Sequence, residues 1–314
     1  MAPAQASDPL MTRTVRVLLH AGLGNQLFMY AAGRALAVRT QARLILDTRR
    51  FDHEHFFNRI FLLDRFPIQA TVEHGSPRTR WLPYRAVRRF EAAVRKSLLL
   101  QKLSGVIAES RDASRLPFDE RLVRPQRRRS VVLDGYWQSE RYFDSAAATA
   151  AVRRELAPPA PTQPELQADL ARVEAAAHPV AVCVRLFTEV PEWNADIPAM
   201  IAAYRRLLVA HAAERPGSTY FLVTNEPAAF ADPDCLGVPF TAICRRIDNE
   251  WAPQSLHVIS RCREFFLTHS SFHWWAAWLA PTADRPVTYL DFDGAGGPDF
   301  VPRQWRRVSM QPRQ

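Results

Sequence analysis

The second half of the chain alternates short apolar runs with helical stretches. The runs fall at 180–185, 219–224, 239–244, 264–268 and 287–290, and the helical stretches at 197–214, 253–262 and 271–280. This pattern leaves few folds open. A helix between two strands returns the chain to its starting end, so successive strands pair in parallel. Runs without polar alternation must be buried on both faces, which requires helices on each side of the sheet. The first half gives the same signal less regularly. Strands are predicted at 14–19, 43–46 and 131–133, with helices at 25–39, at 81–103 and from about 139, the last carrying Tyr142, Phe143, Val152 and Leu156. Between the halves, Ala157-Pro158-Pro159-Ala160-Pro161-Thr162-Gln163-Pro164 holds four prolines in eight residues. Proline fixes φ and donates no hydrogen bond, so this segment is neither helix interior nor central strand. The expected organisation is a disordered lead at 1–12, one α/β domain at 13–157, a linker at 158–164 and a second α/β domain at 165–314.

Length and composition agree. A chain of 314 residues suits two ordinary domains, and 47% apolar with 23% charged residues is a soluble mixture. No run approaches the roughly 20 apolar residues of a membrane span, and the N-terminus lacks a secretory apolar core. Cys183, Cys235, Cys244 and Cys262 form no Cys-x-x-Cys pair and no Cys/His cluster with zinc spacing, so reduced thiols in a cytosolic protein are expected. The net charge of +9 suits a polyanion: nucleic acid, anionic lipid or a sugar-nucleotide diphosphate. No pattern of an RNA-recognition module accompanies it, and Arg127-Arg128-Arg129 reads as a solvated loop. No Asp-x-Asp string or His/Asp cluster stands at a strand end, so no site for Mn²⁺ or Mg²⁺ is expected.

Polar residues gather where strands end, which is where open α/β sheets bind ligands. Gly22-Leu23-Gly24-Asn25-Gln26-Leu27-Phe28 turns the first strand into a helix. Two glycines permit close backbone approach, and a helix start favours an anion. Plain turn chemistry reads the same glycines. In the second half one strand ends at Arg185, the next at Thr224-Asn225-Glu226, and a later one at Thr268-His269-Ser270-Ser271. The Arg185 fork with the N–H and hydroxyl groups of Ser270 and Ser271 would cradle a diphosphate. Equally, the serines could only cap their helix while Arg185 pairs with Glu189 or Asp196.

The string from Gly22 to Phe28, followed by a Tyr, a Gly and Arg34-Ala35-Leu36-Ala37, resembles the opening motif of the family 11 glycosyltransferases, the α-1,2-fucosyltransferase-like enzymes. Arg59 to Ile68, Asp134 to Phe143, the helix Leu256–Cys262 and Ser270 to Leu279 resemble further family segments in the right order. The resemblance implies a GT-B fold, with two Rossmann-like domains facing a cleft. It implies inverting, metal-free transfer of L-fucose from GDP-fucose to a glycan hydroxyl such as a galactoside 2-OH. The donor contacts implied are Gly22, Gly24, Asn25, Gln26, Arg185, Asn225, Glu226, Ser255, His269, Ser270 and Ser271, with Arg185 stabilising the leaving GDP. Trp274, Trp275 and Trp278 are expected to pack rather than bind sugar. The family's H-x-R-R-G-D motif reads Cys183-Val184-Arg185-Leu186-Phe187-Thr188 here, and only Arg185 is kept. Glu189 is the candidate base, with Glu192 and Asp196 behind it. These departures leave three options: fucose with rearranged contacts, another GDP-sugar, or a non-catalytic homologue that binds nucleotide sugar or glycan.

Residues 78–103 form a basic stripe. Trp81, Tyr84, Val87, Phe90, Val94 and Leu98 recur every three or four positions among Arg78, Arg80, Arg85, Arg88, Arg89, Arg95, Lys96 and Lys102, against Glu91 alone. Two readings stand: a core-facing helix with a solvated arginine face, or a surface for peripheral contact with an anionic membrane carrying a lipid-linked acceptor.

Overall fold

The computed structural model describes residues 13–53, 58–75, 81–109, 117–124, 126–186, 197–246, 248–282, 285–291 and 297–309. The chain divides into two compact units between Leu156 and Ala157.

The first unit is a parallel five-stranded sheet of order β3-β2-β1-β5-β4. Its strands are β1 (Thr14–Leu18), β2 (Arg43–Asp47), β3 (Thr71–Glu73), β4 (Val106–Ala108) and β5 (Ser130–Asp134). Val17 stands level with Leu46 on one side and Leu133 on the other. Helix α1 (Leu23–Thr40) lies close over β1, since a Cβ added at Gly33 would meet Val17 Cγ2 at 2.4 Å. Helix α5 (Ala146–Glu155) is tied to α1 through a buried carboxylate. Glu155 accepts from Tyr30 Oη at 2.5 Å and from Arg34 Nε and Nη2 at 2.7 and 2.8 Å.

Two sequence expectations need correction here. The helix expected from about 139 begins instead at Ala146. Residues Glu140–Tyr142 make only a 3₁₀ turn, and Ser145 Oγ then caps α5 by accepting from Ala148 N. The continuous helix expected over 81–103 breaks at Ser97, which is extended at φ −128° and ψ 112°. It becomes α3 (Tyr84–Lys96) and α4 (Leu98–Ser104), the second capped by Ser97 Oγ. The short α2 (Arg49–His53) and strands β3 and β4 were not foreseen.

The second unit is a parallel six-stranded sheet of order β11-β10-β9-β6-β7-β8. Its strands are β6 (His178–Val184), β7 (Ser218–Thr224), β8 (Phe240–Ala242), β9 (Glu264–Leu267), β10 (Val287–Asp291) and β11 (Arg306–Ser309). Helix α6 (Pro164–Ala175) precedes β6, and α7 (Ile197–Glu214), α8 (Ala252–Ser260) and α9 (Ser271–Trp278) lie between the strands in sequence. Pro164 opens α6 at its first turn, where its missing N–H costs nothing. Val180, Val182 and Val184 of β6 pack with Tyr204, Leu208 and Leu222 in one core cluster. Cys183, Cys244 and Cys262 are buried, while Cys235 is part-exposed.

In both sheets the chain lays down its first strands in one direction, then returns to the other side of the first strand. The strand order therefore reverses between β1 and β5 in one unit, and between β6 and β9 in the other. These switch points open a crevice at the carboxyl ends of those strands.

Candidate functional site

At the switch point of the second sheet, β6 ends at Val184 and the part-buried Arg185 follows. Across the reversal, β9 ends at Leu267 and leads through Thr268 and His269 to Ser270, the N-cap of α9. Ser270 Oγ accepts from His273 N at 3.3 Å, so its hydroxyl serves its own helix first. The ring of His273 is buried, its Nδ1 has no hydrogen-bond partner, and its pKa is pushed down to about 3 by burial and by the charge of Arg185. The guanidinium thus bears on the first turn of α9, where the helix dipole also favours an anion. His269 rests against Phe300 with ring centroids 4.8 Å apart, and burial lowers its pKa to about 4. Both imidazoles are held neutral, and Arg185 carries a positive charge at this edge.

Asn225, after β7, clamps the same strand end. Its Oδ1 accepts from Leu186 N and its Nδ2 donates to Leu186 O, both at 2.9 Å. It continues the β6–β7 pairing by one side chain and fixes the backbone beside Arg185. Glu226 follows, part-buried, its N–H donating to Thr224 Oγ1. Ser255 is fully buried in α8 against Cys244. Phe187, Thr188, Glu189, Glu192 and Asp196 lie outside the described residues. Trp274 and Trp275 are fully buried and stack with Trp278, Phe300 and Trp305, with Trp274 Nε1 donating to Phe300 O at 2.8 Å. They are packing residues, as expected.

At the switch point of the first sheet, two of the sequence motifs meet. Gln138 Nε2 donates to Asn25 Oδ1 at 2.7 Å, joining the loop after β5 to the start of α1. The tight turn before α1 is made by Ala21 at φ 65°, not by a glycine; Gly22 is the extended N-cap at φ −76°. A Cβ placed at Gly22 would meet Arg59 Cζ at 3.5 Å, an ordinary contact, so Arg59 lies beside this turn without itself demanding a glycine there. By helix geometry the N–H groups of Leu23 and Gly24 have no acceptor within α1. Gln26 is fully buried and spends its amide on the backbone, donating to Ala21 O and Ile60 O and accepting from Leu62 N. It holds the loop in shape.

Beside this edge lies a charged cluster that the sequence reading missed. Arg50 donates to Asp134 at 2.9 Å and to Glu91 at 2.8 Å, and Arg95 also pairs with Asp134. Two cations hold the Asp134 carboxyl down at about 2, while burial and Arg50 push His20 down to about 3. Glu109, just past β4, accepts from Tyr136 N at 2.6 Å and Trp137 N at 3.0 Å, which fixes Trp137 at its positive φ of 57°. Burial raises its carboxyl to about 7. The available signal was position: Asp134 and Glu109 both follow short β-branched runs. At the opposite end of the second sheet, Glu264 Oε2 lies 3.1 Å from Nε2 of both His178 and His211.

No profile of a known protein family matches the chain. Over 310 residues it is 23% identical to an alpha-1,2-colitosyltransferase from Escherichia coli, spanning 92% of this chain and 97% of that one. The solved structure of the fucosyltransferase NodZ from Bradyrhizobium superposes with a TM-score of 0.51 at 16% identity, over 91% of this chain and 96% of that one. A mutant of Arabidopsis thaliana FUT1 in complex with GDP gives 0.50 at 10% identity, over 88% and 70%. The fold is GT-B. These structures are similar in architecture, and the two doubly wound parallel sheets are what they share with this chain. Among the described residues no helix is long and apolar enough to cross a membrane.

Proposed function

We propose that this protein transfers a sugar from a GDP-sugar to a glycan hydroxyl, inverting the anomeric carbon. The donor is GDP-L-fucose or another GDP-sugar such as GDP-colitose, and the acceptor hydroxyl is a galactoside 2-OH. One observation carries the reading. Arg185 bears on the first turn of α9 at a sheet switch point, in a chain that aligns along nearly its full length with an α-1,2-colitosyltransferase.

The chemistry follows from charge. As the anomeric bond breaks, the leaving GDP gains negative charge on its diphosphate. A fixed guanidinium and a helix start stabilise that charge more in the transition state than in the ground state. Asn225 keeps the cation in place by holding Leu186. His269, Ser270 and Ser271 border the same diphosphate. Gly22, Gly24 and Asn25, whose loop Gln26 shapes, are further donor contacts that the motif resemblance implies. Glu189 removes the acceptor proton, with Glu192 and Asp196 as the nearest substitutes in sequence. No metal is required, because Arg185 and the helix supply the positive potential.

The loss of four motif positions at Cys183, Leu186, Phe187 and Thr188 supports a second reading, a homologue that binds nucleotide sugar without turnover. A panel of nucleotide sugars separates the two. GDP-sugars are expected to raise the melting temperature, as any ligand bound only by the native state must. Slow hydrolysis of one of them identifies the donor. Binding without hydrolysis or transfer would favour the second reading, and no response to any GDP compound would overturn both.

A further inference from the structure

Helix α4 is built inside out. Its one buried side chain is Gln101, whose Oε1 accepts from Ala108 N and Arg121 Nη1 and whose Nε2 donates to Arg95 O. Its leucines face solvent: Leu98 is 73% exposed, Leu99 and Leu103 each 65%. Trp81 and Phe90 of the preceding segment are 74% and 58% exposed. Of the nine large hydrophobic residues exposed among the described residues, six fall between Trp81 and Leu103. Scattered exposed apolar residues are ordinary, but a cluster of this kind marks an interaction surface. The expected stripe of 78–103 has therefore split: Val87 and Val94 pack inward, while Trp81, Phe90 and Leu98 stay out.

The surroundings of the patch are basic. Arg85, Arg89, Lys96 and Lys102 are exposed along it. The segment's acid, Glu91, is already bound by Arg50 and Arg88. Behind Leu98 lies a cavity of about 400 Å³, lined by Arg88, Arg95, Lys96 and Arg121, with Glu109 at its inner wall. Arg88, Arg95 and Arg121 each also touch an acid, which orients their guanidinium groups; Lys96 is the flexible cation at the mouth. Leu98 lines the cavity and belongs to the exposed patch as well.

We propose that α3 and α4 form a docking face for an anionic phospholipid bilayer, and that the cavity behind Leu98 receives a lipid headgroup phosphate. The chemistry matches at both ends. Guanidinium and ammonium groups bind phosphate oxygens, and Glu109, half protonated near neutral pH, repels an anion less than an ordinary carboxylate would. Leu98, Leu99 and Leu103 meet the acyl chains that leave the headgroup, while the exposed arginines face neighbouring anionic lipids. This surface is independent of the proposed transfer reaction and is tested without it.

The test is flotation of the full chain with vesicles of phosphatidylcholine alone or with about a third phosphatidylglycerol. Binding is expected only with the anionic lipid, and weaker at high salt. A Leu98→Ser/Leu99→Ser/Leu103→Ser protein changes exposed positions alone and should fold, as circular dichroism would check. Its vesicle partitioning should fall at least about tenfold, since each buried CH₂ contributes about 0.8 kcal/mol. Ala92→Phe crowds the cavity but leaves the leucines and the exposed arginines, and should lower the preference for the anionic lipid. Equal partitioning of wild type and the triple variant overturns the docking face. An unchanged lipid preference in Ala92→Phe overturns the headgroup site. Binding of soluble glycerol phosphate without vesicle binding, or dimerisation abolished by the leucine changes without vesicle binding, would overturn the membrane assignment.

Discussion

At the scale of single residues, the two sheet edges make opposite demands on protons. His20, His273 and His269 are held neutral, with pKa values lowered to about 3, 3 and 4. A base whose folded pKa is depressed contributes stability above its unfolded value near 6.5, and that contribution is lost as pH falls. Below pH 6.5 the unfolded chain binds protons that the native chain refuses. Denaturant unfolding at pH 7.5 and pH 5 should differ by up to about 2 kcal/mol from the buried His273, with smaller contributions from the part-exposed His20 and His269. Equal stability at both pH values would mean these rings titrate normally. Glu109 has the reverse sign. Its carboxyl is raised from 4.5 to about 7, so its contribution is complete below 4.5 and lost as pH rises through 7. Glu109→Gln lowers the baseline by losing one of two backbone acceptor roles. Between pH 6.5 and 8, however, its stability should rise by about 1 kcal/mol more than that of wild type. Parallel curves would contradict a raised pKa. Arg185→Ala should weaken GDP binding at least about tenfold, in line with roughly 1.5–3 kcal/mol for a charged hydrogen bond. Unchanged affinity by calorimetry would remove Arg185 from the donor site.

At the scale of elements, what the sequence disclosed depended on burial. β6, β7, β9 and β10 are apolar runs closed in on both faces, and pattern alone located them within a residue or two. β3 and β4 have three residues each and lie at sheet edges, too short for any period to register. β11 is an edge strand, Arg306-Arg307-Val308-Ser309, with little apolar content. The break at Ser97 was hidden because the three- and four-residue spacing continues through it, while the cap depends on one hydroxyl. Asn25, Arg185 and Ser270, which the motifs singled out, all stand at switch-point edges. Asn225 was read as a donor contact, yet its amide is committed to Leu186, which no sequence rule reveals. Asn225→Ala should therefore cost about 1–3 kcal/mol in global stability and weaken GDP binding through displacement of Arg185. Asn225→Asp, which keeps the acceptor, should lose less. If GDP affinity falls with stability untouched, Asn225 contacts the nucleotide directly.

At the scale of the whole molecule, both units solve one problem in the same way. A parallel sheet buried on two faces offers ligands only its ends, so the chemistry gathers at the carboxyl edge where strand order reverses. That edge carries Arg185 and the α9 start in one unit, and Arg59, Gly22 and the bonded pair Asn25–Gln138 in the other. Positive potential there comes from side chains and helix starts. Turnover, once the donor is known, is accordingly expected to survive EDTA. Loss of activity with EDTA and its return with Mn²⁺ would contradict the metal-free reading.

The distribution of thiols has a practical consequence. Burial raises the pKa of all four thiols, but it shields the sulfurs of Cys183, Cys244 and Cys262. Cys235 alone among the four is part-exposed. It sits in the connection between β7 and β8, outside both switch-point edges. A maleimide fluorophore applied briefly to the native chain should therefore mark one position and spare the rest. The labelled protein would then report vesicle binding through the slower tumbling of its dye, with no residue replaced.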